Sequence, residues 1–143
     1  MVLDLLSSIE KIKNKRGKSI IQSASDESIQ NIKNWISSNV KKNVWVNEYE
    51  NFLKIANGLN FNGLFIYNTN PNDDNNGFIA ANEIWRETEW DNNYLFFGDS
   101  CIAWFCFDVD SHLFLELDKP SGDIMAEYHS FNEMIEQAIK NVL

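Results

Sequence analysis

The sequence predicts an α+β fold, with helices at both ends packed against a largely antiparallel sheet. Three observations carry the prediction. Apolar residues recur at helical spacing through about the first 56 positions. From Leu64 onward the chain breaks into short apolar runs separated by Asn, Asp, Gly and Pro. Ser130 and Glu133 then form a capping box ahead of a last amphipathic stretch. Helices, a meander of strands and a closing helix define α+β rather than alternating α/β. With 143 residues, the chain is expected to be one domain, 1–143, with a core of its own.

Leu3, Leu6, Ile9 and Ile12 place a first helix over about residues 2–15, closed at Gly17. Lys11, Lys13, Lys15, Arg16 and Lys18 crowd its end, where cations complement the helix dipole. Ser25, followed by Asp26 and Glu27, starts a second helix whose apolar face is Ile29, Ile32, Trp35, Ile36 and Val40. Tyr49, Phe52, Leu53 and Ala56 define a third, with Asn57-Gly58 as a left-handed cap. Leu64–Tyr67 is the first expected strand, and 68–77 a polar loop. Phe78–Ala81 is expected as a short strand, and Asn82–Glu87 as a helical turn. Tyr94–Phe97, Cys101–Phe107, His112–Leu117 and Ile124–Tyr128 complete the strands, with turns at Gly98-Asp99, at 108–111 and at 120–122. Phe131, Met134, Ile135, Ala138, Ile139 and Val142 form the stripe of the closing helix. An antiparallel sheet of this kind can leave one face free for recognition.

Charge divides the chain. Residues 1–60 hold nine Lys/Arg against six Asp/Glu, a balance of +3; residues 61–143 hold three against fifteen, a balance of −12. Like charge repels phosphate, so nucleic acid is not expected on the second half. A basic protein surface or a cation fits it better. Asp4 and Glu10 interrupt the first apolar run, which argues against a signal peptide. No apolar stretch approaches the ~18 residues of a membrane span. Cys101 and Cys106 are five apart and fall on opposite strand faces, so they are not expected to pair, and two free thiols suit a reducing cytoplasm.

No constellation announces catalysis. Both cysteines sit in an apolar run, where thiols are usually inert, and no phosphate loop or nucleophile elbow is present. No cofactor is expected and no enzyme activity. Asn72, Asp74, Asn76, Gly77 and Glu83 match positions of a calcium-loop template, but Asn, Asp and Gly are also ordinary loop residues. Asp108 and Asp110 with His112 read as a hairpin tip, and no metal site is assigned.

The block Tyr49, Phe52-Leu53, Asn57-Gly58 and Gly63–Tyr67 resembles the signature of the SUKH superfamily. Phe96–Asp99, Trp104–Asp108, Leu113–Leu117 with Asp118, and Ser130-Phe131 follow in a similar order, so the likeness runs from about Ser25 onward. The usual Leu-Pro ahead of the third helix is replaced by Val44–Asn47. The resemblance implies no catalytic set. It implies binding, since many bacterial members look like immunity proteins that neutralise toxins, often basic nucleases, by contact. The expected partner is therefore a protein, a cognate toxin domain, met by a cytoplasmic monomer or weak homodimer. Asp99, Asp108, Asp110, Glu116, Asp118 and Asp123 are the candidate steering charges. Tyr67, Trp85, Trp90 and Phe114 are the candidate anchors. An intracellular adaptor for a peptide or regulatory protein is the alternative, and a calcium-responsive binder a further one.

Overall fold

Helix starts follow the sequence where a side chain supplies the cap. The Ser25 hydroxyl accepts from the Ser28 N–H at 3.1 Å and opens α2 (Asp26–Asn39). The Ser130 hydroxyl accepts from the Glu133 N–H at 3.1 Å and opens α5 (Phe131–Val142). Before them α1 covers Val2–Asn14, and between them α3 covers Asn47–Ile55. The strands are β1 (Leu59–Phe61), β2 (Leu64–Ile66), β3 (Tyr94–Asp99), β4 (Ala103–Asp108), β5 (Phe114–Asp118) and β6 (Ile124–Tyr128), with α4 (Phe78–Glu87) between β2 and β3. This computed structural model describes residues 1–40, 42, 44–87 and 93–143.

The result is one α+β domain of five helices and a six-stranded antiparallel sheet among the described residues. Strand order in space equals order in sequence, β1 to β6. Helix α5 packs on the sheet, α1 and α3 pack on α5, and α4 lies beside β3 with α2 against it. The centre is aromatic. The Tyr49 ring lies 4.8 Å from Phe97, 5.5 Å from Phe131 and 5.6 Å from Phe78. The Tyr49 hydroxyl donates to the Tyr67 carbonyl at 2.7 Å, so this buried ring keeps its polar end satisfied.

Four expectations change. First, Leu59–Phe61 is a strand, and Asn62 and Gly63, at φ 49° and 83°, make a two-residue turn that pairs Phe61 with Leu64. Asn-Gly is the dipeptide such a turn selects, because both central residues need positive φ. Second, Asn57-Gly58 does not cap α3 directly: the capping residue is Ala56 in extended backbone, and Gly58 follows at φ 84°. Third, Phe78–Ala81 is the first turn of α4, not a strand. Phe78 is buried against Tyr49, and Ala80-Ala81 favour helix. Fourth, α1 buries Leu6 and Ile9 but exposes Leu3 and Ile12. A strict i+3 stripe drifts about 60° around the helix per step, so its ends leave the buried face.

The central strands are covered on both faces. Phe97, Phe107 and Phe114 face α5, while Phe96, Cys106, Leu115 and Leu117 on the other side are also buried. The expected free face is absent from these strands. Exposure moves to β6, where Ile124 and Met125 are 52% and 51% exposed.

Candidate functional site

The acidic side chains sit at two opposite ends of the sheet and at one point between. Asp108 ends β4 and Asp110 lies in the β4–β5 turn. The Asp108 carboxylate accepts from the Asp110 N–H at 3.0 Å, so it shapes the turn. Exposed Asp110 meets Lys42 at 3.2 Å. Asp99, Asp118 and Asp123 lie at the other end, roughly 17 Å away by strand rise. The Asp118 N–H donates to the Asp123 carbonyl at 2.8 Å, and its carboxylate accepts from the Ser121 hydroxyl at 2.7 Å. Asp123 is exposed.

Asp99 is not a free surface charge. It accepts from the Tyr67 hydroxyl at 2.6 Å and pairs with Lys119 at 3.2 Å. Burial and the neighbouring Asp99 carboxylate push the Tyr67 phenol up. Tyr67 is 3% exposed and Phe114 6%, so neither presents a ring to a partner. Phe114 instead packs 4.7 Å from Phe107 and 6.5 Å from Phe131. Trp85 is half-buried, stacked 4.7 Å from Phe96 and edge-on at 5.1 Å to Trp104. Trp90 lies outside the described residues. Among the described residues, the ion pairs of the acidic half reach only Asp99 and Asp110.

Glu116, at mid-strand in β5, faces a groove of about 210 Å³ between the sheet and the last turns of α5. Leu64, Ala103, Phe105, Ala138 and Val142 form its apolar walls. Burial pushes the Glu116 carboxyl above the usual carboxylate range. Sequence reading picked Glu116 for its charge but missed the groove, whose walls come from positions 64 to 142. It also missed the exposed pair Ile124-Met125. Two adjacent apolar residues in a strand must point to opposite faces, and that was the available signal.

The polar loop at 68–77 is organised around Asp73, which the calcium template skips. Its carboxylate accepts from Asn68 Nδ2 at 2.9 Å and from the N–H groups of Asn75 and Asn76 at 3.1 and 2.9 Å. These bonds hold the Asp73 carboxyl below the usual range. Glu83, the template's closing ligand, sits on α4 and accepts from Trp35 Nε1 at 3.2 Å. Among the described residues no group of three or more His, Cys, Asp or Glu is placed to hold a metal ion. Cys101 is exposed and Cys106 buried, and neither is in a disulfide. Among the described residues no helix is long and apolar enough to cross a membrane.

Compared with known proteins, the chain matches no family model and no curated protein.

Proposed function

We propose that this chain is a non-catalytic binding module of the immunity type, which neutralises a basic toxin domain by direct contact. The carrying observation is the set of carboxylates without counter-charges. Asp108, Glu116, Asp118 and Asp123 have no ion-pair partner among the described residues, and Asp110 shares its charge only with an exposed Lys42. The SUKH resemblance supports the reading as a likeness of motif order, its residues lying on α3, the β1–β2 hairpin, β3 to β5 and the start of α5. Asp110 at one end and Asp118 with Asp123 at the other are the steering charges, and Trp85, half-buried against Phe96 and Trp104, is the candidate anchor. A nuclease must be basic to hold phosphate, so such a surface would complement it.

Co-expression tests the function. The chain should rescue cells from one toxin encoded beside it; failure to rescue from any neighbouring toxin sinks the reading. The electrostatic part is tested by the association rate, which should fall steeply as salt rises. A rate indifferent to salt removes the steering role.

A second reading, an adaptor that captures an extended peptide, is favoured by one observation. Among the described residues no strand pairs with the outer edge of β6, and Ile124 and Met125 are exposed there. An adaptor would rescue no cell from a toxin, and Met125→Lys would abolish its peptide capture.

A further inference from the structure

We infer that the groove beside Glu116 is a receptor for one lysine or arginine side chain of the partner. The inference rests on the reading above only in taking the partner to be a basic protein. Three features of the groove converge on a long cation. The walls, Leu64, Phe105, Ala138 and Val142, are apolar and suit a methylene stem. Glu116 is the one carboxylate among the lining side chains, and it is half-buried with no hydrogen bond or ion pair among the described residues. The last turns of α5, through Ala138, Asn141 and Val142, line the same groove and bring the negative end of the helix dipole to it.

An unpaired carboxylate held partly out of water is a cost to folding. A cation supplied from outside would remove that cost, and beside a half-buried carboxylate the pair would be stronger than at an open surface. Among the described residues no lysine, arginine or histidine lines the groove, and Lys119 is engaged with Asp99. Lys13 donates to the Asn60 carbonyl at 2.7 Å, and Lys140, though on α5, is exposed and does not line the groove. Anionic ligands are disfavoured by the same carboxylate and the same dipole.

The test is amide NMR of the full isotope-labelled chain titrated with the blocked amides of lysine, arginine and norleucine. The lysine and arginine amides should give saturable shifts at Ala103, Ala138 and Val142. Norleucine has the stem without the charge and should bind at least about tenfold more weakly. Glu116→Gln should weaken the lysine amide by a similar factor, with an unchanged or higher melting midpoint showing that the fold persists. Glu127→Gln, on the exposed strand β6, should change neither. Equal binding of norleucine, undiminished binding to Glu116→Gln, or no saturable shift overturns the inference. Toxin rescue by the unaltered chain is read separately, so a silent groove with intact rescue removes this inference and leaves the wider reading standing.

Discussion

Asn82 does the work of a missing strand. It is fully buried on α4, its Oδ1 accepts from the Phe96 N–H at 2.7 Å, and its Nδ2 donates to the Phe96 and Phe78 carbonyls at 2.9 Å each. The β2–β3 register stops at Ile66 opposite Gly98, so the side chain satisfies backbone that no described β2 residue pairs. Asn82→Leu keeps the branched shape but removes the hydrogen bonds to both Phe96 backbone groups. Urea unfolding should show a loss of about 2–4 kcal/mol. Glu50 is the second decisive residue. Hydrogen bonds from Lys33 at 2.8 Å and Lys54 at 3.0 Å, with Trp45 Nε1 at 2.8 Å, lower its pKa from 4.5 to about 2. The folded form therefore prefers the carboxylate. That stability is present above the unfolded value and is lost as pH falls from about 4.5 towards 2. Glu50→Gln should flatten this part of the stability profile, seen as a smaller drop in urea midpoint between neutral and acid pH.

At the scale of elements, the strands and helices with their own caps or alternation were legible. Ser25, Ser130, and the apolar run of β4 needed no tertiary information. The misread elements depend on partners distant in sequence. Phe78–Ala81 looks like a strand until Phe78 is seen against Tyr49, twenty-nine positions away. Leu59–Phe61 is too short to announce itself and becomes a strand only through its hairpin with β2. That hairpin joins the sheet at two registered pairs, Phe65 with Asp99 and Ile66 with Gly98. A Cβ on Gly98 would fall on the Phe65 carbonyl oxygen. Gly98→Ala should loosen β1–β2 before the rest. Hydrogen exchange should speed up at Leu64–Ile66 while the β4–β5 amides stay protected.

Over the whole molecule, charge was legible and position was not. The −12 of residues 61–143 is visible in the sequence, but not that Asp108 and Asp110 stand at one end of the sheet, Asp99, Asp118 and Asp123 at the other, and Glu116 between. Nor could spacing alone tell Tyr67 and Phe114, which are interior, from exposed rings. Strand alternation sorts residues by face, and here both faces of the central strands are covered. The open part is β6, which bears on self-association. Met125→Lys places a charge on that edge at a cost within about 0.5 kcal/mol, and sedimentation should show less dimer at high concentration with an unchanged melting curve.

Helix α5 has a consequence in time as well as space. It follows every strand in the sequence, and its Phe131 closes over Phe52, Phe97 and Phe114 at 6.1, 5.5 and 6.5 Å. While the ribosome is still translating residues 131–142, the sheet's aromatic face has no roof, and the growing chain is at its stickiest. The wall of the Glu116 groove formed by Ala138 and Val142 does not yet exist either. A chain whose α5 has not yet docked therefore lacks the groove, and with it the lysine or arginine receptor proposed there.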